Sequence, residues 1–407
     1  MSGTDIAGKV TRQHSPERFD FVLTEDYDDF LAPGRFVDVV LPGATGDERI
    51  CAIIESGGGD INRHQQERHA FEYHCKVLTP GQKRSLVDAY VTETDEQSSL
   101  APLFSPGAAQ SQMRLGKLWG TSTDVAVNLQ ADNFKRHCCV FGSSGSGKTT
   151  LLFVAVEELL LKLPAAQVIV LDPNSDFARF SKPDAADPKK LSEDQVKLEA
   201  VAKELIADPK IRQDRFGALA QARLQEIDPS TWIGTAKDAV DTILDDSRAL
   251  RFIQYNLGGM AFSRRATIAE AVLSALWERN EKSRRTTFVV IDEAHNLAPA
   301  VADQPWQART LDWVNRISGE GRKYGLFLIL VSQRPAKIHS NTLDNCRNFM
   351  LMRLDNRDDI EALARRTTDV SENLLGRVAT FRAYEALVYG DLGPGAIIRS
   401  NPTRMTK

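Results

Sequence analysis

Three things are scarce in this 407-residue sequence, and each scarcity closes off a class of protein. No apolar run reaches the ~18 residues that a membrane-spanning helix needs. The start Met1-Ser2-Gly3-Thr4-Asp5 lacks the basic-then-apolar order of a signal peptide. No membrane partner is expected, and the cytoplasm is the expected location. Cysteine is sparse: Cys51, Cys75, Cys138, Cys139 and Cys346 are odd in number and show no Cys-x-x-Cys spacing, which excludes a disulfide framework and a zinc ribbon. Excess positive charge is also missing, since 51 Lys and Arg face 55 Asp and Glu for a net −4. The surface as a whole does not attract polyanions, so any nucleic-acid contact must be local.

What remains is ordinary globular composition, 42% hydrophobic and 26% charged, enough for two or three domains with their own cores. From Gly8 to about Ser111 the pattern is β: Phe19 to Leu23, Arg35 to Val40, Ile50 to Ile54, Tyr73 to Leu78 and Ala89 to Thr92 are short strand-like segments. Turn signals at Ala32-Pro33-Gly34, Pro42-Gly43, Gly57-Gly58-Gly59 and Pro80-Gly81 separate them, a spacing that fits a small barrel. His64, His69, His74 and Cys75 lie close together, but no flanking ligand pattern supports a metal, and a solvated loop leading into a strand is the expectation. Ser98 to Ser111, rich in Ser, Pro, Ala and Gln, reads as a linker.

Chemistry concentrates in the next part of the chain. Cys138-Cys139-Val140-Phe141 is a strand pattern, and Gly142-Ser143-Ser144-Gly145-Ser146-Gly147-Lys148-Thr149 follows it and opens a helix-forming run from Thr150 to Leu163. That is the phosphate-binding loop pattern in its strand–turn–helix setting, where an ordinary Gly/Ser turn is the bland alternative. Glycines 142, 145 and 147 let backbone N–H groups converge on phosphate oxygens at a helix N-terminus. Lys148 would reach the β- and γ-phosphates, and the Thr149 hydroxyl would ligate Mg²⁺, so ATP with Mg²⁺ is the expected ligand. Phe288-Val289-Val290-Ile291 is a second buried-strand pattern, and it ends in Asp292 and Glu293. Beside an intact phosphate loop this pair reads as a Mg²⁺-holding carboxylate, Asp292, and a base that polarises the attacking water, Glu293.

Further strands alternate with helices, as a mostly parallel sheet requires. Gln167 to Leu171 leads to Asp172-Pro173-Asn174-Ser175-Asp176, and Arg251 to Leu257 is another strand-like run. An amphipathic helix follows from about Arg264 to Asn280, with Ile268, Val272, Leu273, Leu276 and Trp277 on one face. Leu326 to Val331 delivers Ser332-Gln333-Arg334 at a strand end, where the Gln333 amide can sense a γ-phosphate or simply cap the strand. Between about 180 and 250 the chain turns polar, with helix-like pieces that read as an insertion on the sheet.

Asp292-Glu293-Ala294-His295-Asn296, Gly321-Arg322-Lys323-Tyr324-Gly325, Val331-Ser332-Gln333-Arg334-Pro335, Asn345-Cys346-Arg347-Asn348-Phe349 and Leu351-Met352-Arg353-Leu354 with Asp358-Asp359 together resemble the HerA branch of the FtsK/HerA ATPases. The likeness extends over nearly the whole chain. It implies a RecA-like P-loop NTPase at residues 113–393, including the insertion at about 180–250, a HerA-barrel-like domain at 1–112 and a C-terminal arm at 394–407. It also implies a homo-hexamer with ATP at subunit interfaces, motor activity on double-stranded DNA and a NurA-like nuclease partner. By match, Lys148, Thr149, Asp292, Glu293 and Gln333 keep the roles argued above, within a binding loop running from Gly142 through Ser143, Ser144, Gly145, Ser146 and Gly147 to Thr150. Arg322 is the candidate arginine finger and Arg136 a second phosphate-region candidate, since a permanent charge with a donor fork suits phosphate oxygens. A surface salt bridge is the alternative for each. The family's His-Gly after the Asp-Pro of this strand is replaced here by Asn174-Ser175.

Two further readings stand beside the DNA translocase: an ATP-dependent ring scaffold for an antiphage defence effector, either a nuclease or a sirtuin-like subunit, and a conjugation or secretion motor. Lys323, Arg334, Lys337 and Arg347 are basic residues that could touch DNA.

Overall fold

The structure, a computed structural model, describes residues 6–23, 32–42, 47–60, 71–87, 89–104, 112–122, 125–174, 176, 252–259 and 261–400. The expected helical insertion at about 180–250 lies outside the described residues, as do His64 and His69.

Six strands form the N-terminal unit: β1 Ile6–Ser15, β2 Arg18–Leu23, β3 Phe36–Leu41, β4 Glu48–Asp60, β5 Phe71–Val77 and β6 Tyr90–Glu93. They close in the order β1-β2-β5-β4-β3-β6, with β6 returning to pair β1, which leaves no open sheet edge. The two-residue period of a strand divides β3 and β4 between two cores. Val37, Val39, Ile50, Ala52 and Ile54 fill the barrel, whereas Phe36, Cys51 and Ile53 belong to the core of the larger domain. The barrel is thus seated on that domain through the outer face of these two strands. Polar ties reinforce the seat: the Lys76 ammonium donates to the Asp369 carbonyl at 2.6 Å and the Ser371 hydroxyl to the Glu55 carbonyl at 3.3 Å.

The larger domain is built on one ten-stranded sheet. Its strands are β7 Gln112–Leu118, β8 Ala126–Gln130, β9 Cys138–Phe141, β10 Gln167–Asp172, β11 Phe252–Asn256, β12 Thr287–Ile291, β13 Leu326–Ser332, β14 Asn348–Leu351, β15 Glu385–Gly390 and β16 Gly393–Ser400. The order is β11-β10-β12-β13-β9-β14-β15-β16-β7-β8. From β11 to β14 every pairing is parallel. Beyond β14 every pairing is antiparallel. The apolar runs of β9, β10, β12 and β13 are buried along their whole length, as strands covered on both faces must be. Helices α1 Lys148–Lys162, α2 Phe262–Lys282 and α3 Pro305–Tyr324 cover the sheet; α1 packs on β7, β9 and β10, and α3 on α2 and β13.

The tail departs from the reading as an arm. Residues 393–400 are a sheet strand, with Ala396, Ile397 and Ile398 opposite Val388, Leu387 and Ala386, and Ile398 also opposite Leu118. Burying these apolar side chains, at roughly 25 cal/mol per Å², outweighs the Gly393-Pro394-Gly395 punctuation that reads as coil. Residues 401–407 lie outside the described part.

Candidate active site

The parallel half of the sheet brings the carboxyl ends of β9, β12 and β13 side by side, the place where open α/β sheets bind ligands. In register, Ser332 of β13 lies opposite Phe141 of β9, and Ile291 of β12 opposite Leu330 of β13. The loop after β9, the Asp292-Glu293 pair and Gln333 are therefore neighbours because of strand pairing.

The loop itself is held by its backbone. Gly142 N–H donates to the Ser332 carbonyl at 3.2 Å, Ser143 N–H to the Arg353 carbonyl at 2.6 Å, and Tyr384 N–H to the Ser146 carbonyl at 2.9 Å. Gly145 and Gly147 have φ of 72° and 100°, the left-handed region where a side chain is strained. At Gly147 a Cβ would also lie 2.8 Å from the Tyr384 ring, and at Gly142 one would lie 2.7 Å from the Ser146 hydroxyl. Helix α1 starts at Lys148, so its first-turn N–H groups, through Thr149 and Thr150, lack intrahelical acceptors and face the loop's concavity. The Ser146 hydroxyl is buried without a hydrogen-bond partner. These features fit a phosphate, which supplies oxygen acceptors to such donors.

Lys148 Nζ rests on the Ser143 carbonyl at 2.9 Å. Burial pushes its pKa down, while the charges of Glu293, Asp292 and Asp176 pull it the other way. Gln333 Nε2 donates to Glu293 Oε1 at 2.7 Å. The other Glu293 oxygen lies 3.3 Å from His295 Nδ1, which also contacts the Ser332 hydroxyl at 3.0 Å. Burial pushes the His295 imidazole below its ordinary range against the pull of Glu293. Glu293 sits at φ 48°, a left-handed conformation uncommon for a side-chain-bearing residue and of the kind that clusters at functional sites. This carboxylate is aimed by two neighbours, Gln333 and His295, and its backbone is strained, which suits the orientation of a water molecule.

Asp292 is 8% exposed, and its pKa is pushed up to about 7 by burial first and then by Glu293. A divalent cation would remove that penalty, and the Thr149 hydroxyl and Asp292 carboxylate are the oxygen donors the loop and β12 offer for one. Asp172 is committed elsewhere. Its carboxylate accepts from Gln254 Nε2 at 2.7 Å and from the N–H groups of Asn174 and Asp176, both at 3.2 Å. Asp172 thus caps the backbone that follows it, at Asn174 and Asp176.

The raised Asp292 pKa gives a pH prediction. Metal and proton compete for the carboxylate, so apparent Mg²⁺ affinity in the ATPase assay should fall about tenfold per pH unit below about 7. Without metal the folded protein holds a proton that the unfolded chain releases, so Asp292 lowers stability as pH rises from its ordinary range toward about 7. Asp292→Asn is accordingly expected to raise the melting temperature of the metal-free protein at pH values above about 7, read by thermal unfolding, while lowering Mg²⁺-dependent turnover.

Arg322 and Arg136 are not brought to this site. Arg322 lies in the last turn of α3, just before β13 begins, and its charge helps to lower the pKa of buried His137 to about 4, after burial itself. His137 immediately precedes β9, so both groups mark the amino edge of the sheet, roughly 13 Å of strand from the phosphate loop. Arg136, the second phosphate-region candidate, stands at the same edge, 3.5 Å from Asp391 and away from the phosphate loop of its own chain. Of the basic candidates, Lys323 and Arg347 share that edge, while Arg334 and Lys337 are exposed beside His295 at the opposite, carboxyl end.

Some participants carry no sequence signal. Arg353 acts through its carbonyl, and Tyr384, at φ 71°, reaches the loop from the start of β15. His295 was visible in the Asp-Glu-Ala-His-Asn box, and its spacing from Glu293 on a short helical turn is what brings it back to the carboxylate.

Fold and site define a RecA-like P-loop ATPase. Residues 113–305 match the model of the helicase HerA central domain, so this part of the chain is similar to that domain. The chain is 31% identical over 127 residues to a probable helicase of Methanocaldococcus jannaschii, an alignment covering 30% of this chain and 24% of that protein. To the DNA double-strand break repair helicase HerA of Sulfurisphaera tokodaii it is 22% identical over 352 residues, covering 72% of this chain and 69% of the relative. Among solved structures, VirB4 of Thermoanaerobacter pseudethanolicus aligns at 17% identity with a TM-score of 0.46, covering 73% and 98% of the two chains.

Proposed function

We propose that the chain is an ATP-driven translocase on double-stranded DNA, cytoplasmic and acting as a homo-hexamer with a nuclease partner in DNA end processing. The observation that carries the reading is the Gln333–Glu293 hydrogen bond of 2.7 Å at adjoining strand ends beside the phosphate loop. It links the group that would orient water to a strand-end amide able to sense the γ-phosphate. In this reading Lys148 binds the β- and γ-phosphates, Thr149 and Asp292 hold Mg²⁺, and Glu293 is the base. Bound Mg²⁺ would neutralise charge developing on the phosphoryl oxygens.

Two further features support an assembly. Arg322 stands exposed at the amino edge of the sheet, away from its own phosphate loop and available to a neighbour's γ-phosphate. Arg334 and Lys337, exposed next to His295 and Glu293, are suited to transmit contact with a DNA phosphate to the catalytic carboxylate. Among the described residues no helix is long and apolar enough to cross a membrane.

The test is steady-state ATPase activity with and without linear duplex DNA across a salt series. Stimulation that weakens steeply as salt rises is expected, because phosphate contacts release counterions. Unchanged turnover with DNA, from an assembled protein that hydrolyses ATP, would replace this reading with the effector scaffold.

A further inference from the structure

On the outer face of the barrel, three strands place His14, Asp20 and His74 together. His14 lies near the end of β1, Asp20 in β2 and His74 in β5, directly opposite Asp20 in register. His14 Nε2 is 2.6 Å from Asp20 Oδ2, and His74 Nδ1 is 2.6 Å from Asp20 Oδ1. The Asp20 side chain is 3% exposed, while the imidazoles above it are 46% and 52% exposed. Its strand neighbours Phe19 and Phe21, and Cys75 beside His74, point the other way into the barrel core.

A desolvated carboxylate is costly unless a positive charge accompanies it. Among the described residues its ion-pair partners are these two imidazoles, which carry no fixed charge, and neither a lysine nor an arginine reaches it. Both separations are short hydrogen bonds, which hold the two imidazole nitrogens over the one carboxylate. All three potential ligand atoms lie within 4.8 Å of one another. Two imidazole nitrogens and a carboxylate are a donor set for a divalent transition-metal ion, and zinc takes them with water as the fourth ligand.

We infer that His14, Asp20 and His74 form a zinc-type site that clasps β1, β2 and β5, independent of the nucleotide site. The ion supplies the charge that the buried carboxylate lacks, and the half-exposed rings close on it from the solvent side with little displacement of the rigid strands. The hydrogen-bonded arrangement, with both rings donating to Asp20, is the metal-free form.

The experiment uses the full chain, stripped with a chelator and then titrated with Zn²⁺ or Co²⁺ in excess Mg²⁺, which fills the phosphate-loop site. Metal content, Co²⁺ visible absorption and the melting temperature are read together. Expected are one tightly bound ion per chain, tetrahedral Co²⁺ bands and a higher melting temperature. His14→Ala and His74→Ala should each weaken binding by more than the roughly 10–100-fold that loss of an outer-shell partner costs. Both substitutions lie on half-exposed side chains, so the variants should stay folded and keep basal ATPase activity. Absence of tight binding in the wild type, or binding unchanged in the doubly substituted chain, overturns the site.

Discussion

Replacing Glu293 by glutamine is expected to lower ATP turnover by about 10²–10⁴-fold, the usual contribution of a positioned base, while nucleotide binding persists. The glutamine keeps the shape and can still meet the Gln333 amide, which donates to Glu293 at 2.7 Å, but it cannot accept a proton from water. Turnover at fixed saturating ATP and equilibrium binding of a fluorescent nucleotide analogue check the two halves. Lys148→Ala should do the opposite, weakening binding first, because its ammonium is the loop's one side-chain cation for the phosphates. Full hydrolysis by Glu293→Gln would remove the carboxylate from the mechanism.

Arg322→Ala is expected to lower turnover by roughly 10³-fold or more, the scale of an arginine finger, although it lies at the sheet edge away from its own phosphate loop. The distinguishing result comes from mixing. If Arg322 serves the neighbour's site, rings that combine wild-type and variant chains should lose activity faster than the wild-type fraction falls. Activity proportional to that fraction would leave Arg322 with a local role, such as its influence on His137.

The parts of this site legible in the sequence are those where one strand delivers its own chemistry. An apolar run followed by Gly142 to Thr149, by Asp292-Glu293 or by Ser332-Gln333 announces both a buried strand and what stands at its end. Parallel pairing then does the assembling, so Glu293 and Gln333 meet although 40 residues separate them. Legibility ends where the contact is made by backbone. Nothing in the side chain of Arg353 foretells that its carbonyl holds Ser143, and Tyr384 reaches the loop only through an unusual φ. Arg136 misleads for a related reason: it lies close to Gly142 in sequence, yet the rise of β9 carries it to the opposite edge of the sheet. Five of the barrel's six strands were visible from their alternation and turns, but not β1, the division of β3 and β4 between two cores, or the meeting of His14 and His74 over Asp20. Closure brings distant strands together, and a local pattern does not encode which ones.

Movement along the duplex is the central claim, and displacement of a short triplex-forming strand from linear duplex DNA measures it most directly. The account predicts release with ATP and Mg²⁺, and none with a non-hydrolysable analogue or with Glu293→Gln. A wild-type protein that hydrolyses ATP in the presence of duplex DNA yet leaves the third strand in place would contradict it.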